Sequence, residues 1–306
     1  MAMSVVILTF NRREHVVDTV ESTLRQMFDG DYEVIVIDNW SDDGSYEELK
    51  SRFSRISNFR IVRPSQRIGI AAARNYGLQI AKGDIVAFID DDCIANRSWL
   101  KEINSIFKDS SVGCVGGKIS PVIVGAKKPM WLGKDIYGIL GVTNWGEKVR
   151  DIYFPIGGNL AIRRDLAQKI GGFKEQLGPR GVKVFGEEIS ISDRVRNSGF
   201  RVVYAPKAEV FHKIWKNRIE IEHLLRRAYM ISVGDYYLYG RVPKKVLINL
   251  GILVASLYGY VAFWRPNLLI HLFYAAGYLV PSLTRKEPLK TLESMINIWK
   301  KIQRRR

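Results

Sequence analysis

The sequence predicts an α/β fold in which helices flank a mainly parallel β-sheet. Short apolar, β-branched runs alternate with stretches of helical periodicity, and the spacing leaves room for one helix between consecutive strands. Polar residues follow several of these runs at the point where the strand would end. In an open α/β sheet, ligands bind outside the carboxyl ends of the strands. The same pattern therefore predicts both the fold class and the edge at which a site lies.

The N-terminal third predicts four strands separated by helices. Val16, Val20 and Leu24 recur at helical spacing after the first strand, and a further helix opens at Gly69 before the fourth. Thr9 ends the first strand and Asp38 ends the second. The predicted strands are residues 3–8, 32–37, 59–62 and 85–89.

Three consecutive carboxylates, Asp90, Asp91 and Asp92, follow the fourth strand with no turn residue between. Adjacent carboxylates repel one another, and either a bound cation or a solvated rim relieves the repulsion. Two interpretations follow, a divalent-metal and nucleotide site or an acidic, solvated strand end. No G-x-G-x-x-G follows the first strand and no G-x-x-x-x-G-K-[ST] occurs, so a metal would have to neutralise a bound diphosphate.

The composition indicates a globular protein with an anionic partner. The 306 residues are 47% hydrophobic and 25% charged, which suffices for a folded core. The formal net charge of +16 favours a nucleic acid, an anionic membrane face or a phosphate-bearing substrate. The two cysteines, Cys93 and Cys114, predict no disulfide framework and a reducing compartment. We expect the N-terminal apolar run to be a strand, since it is too short for a signal peptide.

Eight short segments of the first two thirds of the chain carry a family resemblance. They are Val6–Arg12, Val36–Ser45, Ala72–Gly77, Asp90–Asp92, Gly157–Arg164, Gly171–Glu175, Gly186–Ser190 and Tyr204–His212. In this order they resemble the family 2 inverting glycosyltransferases, nucleotide-sugar enzymes of the GT-A fold. The resemblance covers residues 3–215 and implies a GT-A-type, Rossmann-like sheet.

The resemblance implies a nucleotide-binding role for residues at the first two strand ends. Thr9 and Phe10 would line the base pocket. Asp38 would accept a hydrogen bond from an imide N–H of the base, which suits uracil and leaves guanine open. Arg74 would face the nucleotide, although a solvated arginine on a helix face is the alternative.

The resemblance gives the three aspartates and one histidine the remaining roles in binding the nucleotide-sugar donor. By resemblance, Asp90 would hold the ribose hydroxyls, and Asp91 would lie on the nucleotide side with the least defined role. Asp92 would bind Mn²⁺ or Mg²⁺, and His212, placed after a strand at Arg201 to Tyr204 and a turn at Ala205-Pro206, would complete the metal site. A hydrogen-bonded surface histidine is the alternative for His212.

Glu188 is the predicted catalytic base. Most relatives have Glu-Asp where this chain has Glu187-Glu188, so the carboxylate is kept on a longer arm. An inverting transfer needs a base for the acceptor hydroxyl proton, while the metal stabilises the departing nucleoside diphosphate. The alternative is an acid pair favoured by a helix N-terminus.

The C-terminal third changes in composition. Residues 246–264 and 266–283 contain no charge, each run is near the minimum for crossing a membrane, and basic residues flank the pair on both outer sides. We therefore predict a connector at 216–245, an apolar helical hairpin at 246–283 and a basic tail at 284–306 after the catalytic domain at 1–215. The hairpin would hold the protein at the cytoplasmic face of an anionic membrane, or would pack on the protein itself or on a dimer partner.

The leading hypothesis is a metal-dependent inverting glycosyltransferase. It would move a sugar from a nucleoside diphosphate, UDP rather than GDP, to a hydroxyl of a lipid-linked or surface glycan. The Gln-x-x-Arg-Trp motif of processive relatives does not follow Glu188, so we expect a single addition. Transfer to a polyprenyl phosphate is the alternative within this class. A basic nucleic-acid-binding protein is the alternative outside it, but no recognised motif supports one, and we expect no nucleic-acid partner.

Overall fold

The structure is a computed structural model that describes residues 1–134, 136–177, 186–240, 242–263, 266–283 and 288–304. These residues divide into two compact units. The first takes in Met1–Val122, Gly141–Val182 and Glu187–Lys213, as far as these segments are described. The second takes in Ile123–Leu140, Lys183–Gly186 and Ile214–Arg306, within the same limits.

The first unit contains a mixed β-sheet flanked by helices, which confirms the predicted α/β class. The strand order is β3-β2-β1-β4-β8-β6-β9-β5, with β7 paired to β9. The strands are β1 (Met3–Thr9), β2 (Tyr32–Asp38), β3 (Phe59–Val62), β4 (Ile85–Asp90), β5 (Cys93–Ala95), β6 (Val112–Val124), β7 (Arg150–Asp151), β8 (Asn159–Arg163) and β9 (Arg201–Trp215). Strands β1 to β4 pair in parallel, whereas β8 pairs antiparallel with β4 and β6.

Both faces of the sheet are buried at its centre, which explains why apolar residues dominate the central strands. Val5 and Ile7 of β1 belong to one core cluster and Val6 belongs to the other, as the alternation of a strand requires. Helices supply the rest of each cluster. They are α1 (Arg13–Leu24), α2 (Ser45–Phe53) and α4 (Trp99–Phe107) on the first face, and α3 (Ile70–Ile80), α5 (Arg164–Lys169) and α6 (Glu187–Asn197) on the second.

The predicted strand ending at Tyr204 and the turn at Ala205-Pro206 are wrong, because β9 runs unbroken from Arg201 to Trp215. Its side chains alternate between buried and less buried positions beyond Pro206. A proline removes one donor from a strand without forcing a turn, so pairing resumes where β9 meets β5. His212 therefore lies inside a paired strand.

The second unit is helical. Two 3₁₀ turns at Tyr137–Leu140 and Lys216–Ile219 accompany four helices, which are α7 (Ile221–Tyr239), α8 (Pro243–Phe263), α9 (Pro266–Leu283) and α10 (Pro288–Arg304). Helix α9 contacts α7, α8 and α10. The α7 and α9 backbones approach closely at Gly277, where a Cβ would overlap the Tyr229 carbonyl oxygen. The Tyr278 hydroxyl donates to the Gly240 carbonyl oxygen at 3.0 Å and accepts from the Val242 N–H at 3.0 Å.

Helices α8 and α9 lie over the two uncharged runs, and a helix also forms at Pro288–Arg304, where the sequence predicts only a basic tail. Leu292 and Ile296 of α10, one turn apart, are buried, which favours a helix. In the described part of the chain, no helix combines the length and the apolar character needed to cross a membrane. The flanking Arg241, Arg265, Arg285 and Lys286 lie outside the described residues, as do Arg305 and Arg306.

Candidate active site

The carboxyl ends of the parallel strands bring the predicted residues to one edge of the sheet. Thr9 is in register with Asp38 on β2, and its neighbour Leu8 is in register with Asp90 on β4. The Asn39 N–H donates to the Thr9 carbonyl oxygen at 2.9 Å, which fixes the two strand ends together. Thr9 and Asp38 are buried, whereas Asp90 is exposed. The predicted convergence of these three residues is confirmed.

Asp38 is held by an arginine that sequence reasoning missed. Arg63 Nε donates to Asp38 Oδ2 at 2.6 Å, and the Ser41 N–H lies 3.3 Å from the same oxygen. The other oxygen, Oδ1, is buried and has no hydrogen-bond partner among the described residues. Asp38 therefore presents one unused acceptor at the edge of the site.

Aromatic rings and arginines stack beside Asp38. The Arg63 guanidinium carbon lies 4.1 Å from the centre of the Tyr46 ring, and that of Arg67 lies 3.5 Å from the centre of the Phe10 ring. Trp40 adopts a positive φ of 66°, a conformation that is uncommon for residues with a side chain. No spacing rule links Arg63 or Arg67 to Asp38 or Phe10, because their long side chains reach the site from a loop after β3.

Asp92 and His212 meet through the pairing of β5 with β9. Cys93 is in register with His212, and this places His212 Nε2 3.4 Å from Asp92 Oδ1. Both side chains are buried. Arg12 Nη1 lies 4.0 Å from the other oxygen of Asp92. Asp92 is therefore flanked by an imidazole and a guanidinium.

The Asp92 and His212 pair fits a divalent cation as a partial ligand set. A carboxylate oxygen and an imidazole nitrogen are both ligands that Mn²⁺ accepts. Among the described residues, no group of three or more His, Cys, Asp and Glu side chains could hold a metal ion alone. Any cation here would need further ligands from a substrate or from water.

Asp91 lies between Asp90 and Asp92 in the chain and is only partly buried. Burial and the neighbouring Asp92 raise the pKa of the Asp91 carboxyl to about 7, against the opposing charge of Arg12. The repulsion predicted from three adjacent acids is therefore present in the fold.

Glu188 lies in the first turn of α6 and faces Arg74 of α3. Arg74 Nη1 lies 3.0 Å from Glu187 Oε1, and Nη2 lies 3.4 Å from Glu188 Oε1. Arg74 and Glu187 are each about 3% exposed, whereas the Glu188 side chain is 18% exposed. Burial and the neighbouring Glu187 raise the pKa of Glu188 to about 7, although Arg74 opposes the shift. The Arg74 pKa is lowered by burial but raised overall by Glu188 and Glu187.

Two glycines before β8 allow these groups to come close. A Cβ on Gly157 would overlap Arg74 Nη2 and Glu188 Oε1, and a Cβ on Gly158 would lie 2.8 Å from Asp90 Oδ2. The repulsion of Asp90 also contributes to the raised pKa of Glu188. Asp90, Arg74 and Glu188 therefore belong to one site. The structure gives Arg74 acidic partners, and contact between Arg74 and a nucleotide stays a prediction.

Comparison with known proteins gives a consistent result. Residues 4–171, more than half of the chain, match the sequence model of Glycosyl transferase family 2. The chain is 29% identical over 236 residues to a glucosyl-dolichyl phosphate glucuronosyltransferase of Haloferax volcanii, covering 75% of this chain and 74% of that protein.

Two solved structures share the fold. A mannosyltransferase of Pyrobaculum calidifontis in complex with GDP-Man and Mn²⁺ has a TM-score of 0.60 at 19% identity, covering 97% of this chain and 79% of that one. GalNAc-T7 with UDP, GalNAc and Mn²⁺ has a TM-score of 0.56 at 19% identity, covering 74% of this chain and 47% of that one. These similarities confirm the predicted GT-A-type fold.

Proposed function

Since the chain belongs to glycosyl transferase family 2 and is a glycosyltransferase, we propose that it is a metal-dependent inverting enzyme with Glu188 as its base. The observation that carries the proposal is the environment of Glu188. Its carboxyl lies beside Arg74 in the site, is partly open to solvent, and has a pKa of about 7. A general base works best when its pKa lies near the working pH.

The reaction needs one proton transfer and one substitution. The Glu188 carboxylate takes the proton of an acceptor hydroxyl, whose oxygen then bonds to the anomeric carbon of the donor sugar. The bond from that carbon to the diphosphate oxygen breaks, and the diphosphate leaves with the electron pair. Arg74 holds the Glu188 side chain in place and opposes protonation of its carboxylate.

A divalent cation, Mn²⁺ or Mg²⁺, would neutralise the departing diphosphate. Asp92 and His212 would hold it, and substrate phosphate oxygens would complete its coordination, as is usual for such cations. Asp90 is exposed at the end of β4 and would accept hydrogen bonds from ribose hydroxyls.

The surroundings of Asp38 support a uridine donor. Uracil presents one imide N–H between two carbonyl oxygens, whereas guanine presents two adjacent donor groups. Arg63 occupies one oxygen of Asp38, which leaves a single acceptor for the base. The free oxygen matches the single imide N–H of uracil, whereas guanine would need the same oxygen to accept from two donor groups.

We propose a lipid-linked glycan as the acceptor, with single addition of one sugar. The relative in Haloferax volcanii is named for a dolichyl-phosphate-linked sugar, which supports an acceptor of this kind. The same relative keeps open a second candidate, direct transfer to a polyprenyl phosphate. A phosphate oxygen is already deprotonated, so that reaction needs little help from a base.

The test is Glu188→Gln, assayed with uridine- and guanosine-diphosphate sugars in the presence of Mn²⁺. We expect kcat for transfer to a hydroxyl acceptor to fall by about 10²–10⁴-fold while donor binding is unchanged. Glu188→Asp is the matched control, because it keeps a carboxylate and should retain measurable transfer. Turnover near the wild-type rate in Glu188→Gln would remove Glu188 from this role. If turnover survives only with a polyprenyl phosphate acceptor, the second candidate is favoured.

A further inference from the structure

One face of α8 exposes an apolar surface along three helical turns. Its large side chains are Leu247, Ile248, Leu250, Val254 and Leu257, and the exposed fraction reaches 70% at Leu247 and 65% at Val254. The other exposed residues between 247 and 257 are Gly251 and Ala255. We call this set of seven residues the outer face of α8.

The opposite side of α8 is already covered. Val246 is buried against Tyr278 and Leu279 of α9, and Asn249 and Ser256 are buried on the same side. The outer face therefore runs along the length of the helix, about 15 Å from residue 247 to residue 257 at 1.5 Å per residue. An exposed contiguous apolar surface of this kind marks a site of association.

A second copy of the chain is one possible occupant. Leu247, Leu250, Val254 and Leu257 follow the alternating three- and four-residue spacing of a coiled-coil seam. Coiled-coil partners are selected by charged residues that flank such a seam. Here the exposed flanking positions are Ile248, Gly251 and Ala255, which carry no charge, so nothing on this face sets a partner or a register.

The charges of the second unit favour a lipid surface instead. Residues 214–306 contain 16 of the 47 Lys and Arg residues but only 5 of the 31 Asp and Glu residues. Lys244, in the first turn of α8 just before the outer face, is exposed. A bilayer of anionic lipids matches both features, because it offers hydrocarbon to the apolar face and negative charge to the lysines and arginines.

We propose that the outer face of α8 docks on an anionic phospholipid bilayer, with the helix lying in the plane of the interface. Leu247, Val254 and their neighbours enter the boundary between headgroups and acyl chains, while α9 covers the other side of the helix. This inference goes beyond the transfer reaction, and its test does not use catalysis.

The test measures binding of the full chain to vesicles of phosphatidylcholine with phosphatidylglycerol, and to vesicles of phosphatidylcholine alone. We expect tighter binding to the anionic vesicles and weakening by salt. Val254→Glu should weaken vesicle binding by at least about tenfold, because it brings a charge into the acyl boundary. Met27→Glu is the matched control, since Met27 is also 65% exposed but lies outside α8.

A labelling experiment guards against a folding defect in Val254→Glu. Cys93 and Cys114 are both buried, so a thiol-reactive, environment-sensitive dye should label Val254→Cys at position 254. We expect its emission to shift to the blue on addition of anionic vesicles, and no shift for Met27→Cys.

Three results with vesicles would overturn the proposal. The first is that the wild-type protein does not bind the anionic vesicles. The second is that Val254→Glu binds them as tightly as the wild type. The third is that the emission of the dye on Val254→Cys does not shift when anionic vesicles are added. A dimer in vesicle-free solution that Val254→Glu converts to monomer would also overturn it and assign the outer face to a second copy.

Discussion

Two acid clusters in the first unit look alike in the sequence but have different electrostatic surroundings. Glu187 and Glu188 share a buried arginine, which lies 3.0 Å from one carboxylate and 3.4 Å from the other. Asp92, the most buried of the three aspartates, lies between Arg12 and His212. Arg12, at 4.0 Å from Asp92, is about one third exposed, and the closer partner, His212, is positive only when protonated.

This difference supports separate roles for the two clusters. Arg74 opposes protonation of the Glu188 carboxylate, which fits the proposed role of Glu188 as a base. A carboxylate beside an imidazole, as at Asp92 and His212, offers two ligands to a divalent cation. The kind of partner, a buried arginine or a histidine, therefore distinguishes the proposed base from the proposed metal site.

The largest expected effect comes from removing the internal cation. Arg74→Met leaves the buried Glu187 carboxylate and the partly buried Glu188 carboxylate without this cation. Breaking a buried ion pair such as that of Arg74 with Glu187 costs about 3–5 kcal/mol in the free energy of unfolding. Urea denaturation measures the loss. Arg74→Lys is the control, because it keeps the charge and should lose less. A loss below about 1 kcal/mol in Arg74→Met would mean that the glutamates do not depend on Arg74.

The second largest effect is expected at the proposed metal site. Asp92→Ala should remove most of the gain in donor affinity that Mn²⁺ gives. Loss of a group that merely supports a metal ligand lowers metal affinity by about 10–100-fold, and loss of a ligand should cost at least as much. Calorimetry of donor binding with and without Mn²⁺ measures this. Glu188→Gln is the matched comparison and should keep the full Mn²⁺ dependence. Equal loss in both variants would contradict the separation of roles.

The smallest effect is in the pH dependence, where activity and stability should change in opposite directions. The pKa of Glu188 is raised to about 7, so transfer should increase as pH rises through that value and deprotonates the base. Between the ordinary glutamate pKa and about 7, the folded state holds a proton that the unfolded state has released. The free energy of unfolding therefore decreases as pH rises through this window.

Urea denaturation across the same pH range, with Glu188→Gln as control, measures the stability part. The variant has no carboxyl at this position, so its stability should fall less steeply with pH. An unchanged slope would assign the pH dependence to other groups.

The sequence alone predicts most of the sheet and the residues at its edge. Apolar residues dominate β1, β2 and β4 because both faces of these strands are buried, and the apolar runs end sharply at Thr9, Asp38 and Asp90. The helix that the sequence predicts to open at Gly69 is α3, which spans Ile70–Ile80. These features are local, so sequence patterns contain them.

The features that sequence reasoning missed depend on contacts between distant segments. Arg63 reaches Asp38 and Arg67 stacks on Phe10 through long side chains whose direction no periodicity reveals. The strand through Pro206 forms because β5 pairs beyond the proline. The ion pairs of Arg74 with Glu187 and Glu188 join residues more than a hundred positions apart.

The antiparallel direction of β8 has a consequence for how this enzyme can diversify. Ile89 is in register with Asn159, so the chain entering β8 passes Asp90 before it joins the sheet. Insertions or deletions upstream of Gly157 would reshape the rim of the site while the strand pairing stays the same. The rim of the site can thus change during evolution through one segment, without rebuilding the scaffold that holds Asp90 and Glu188.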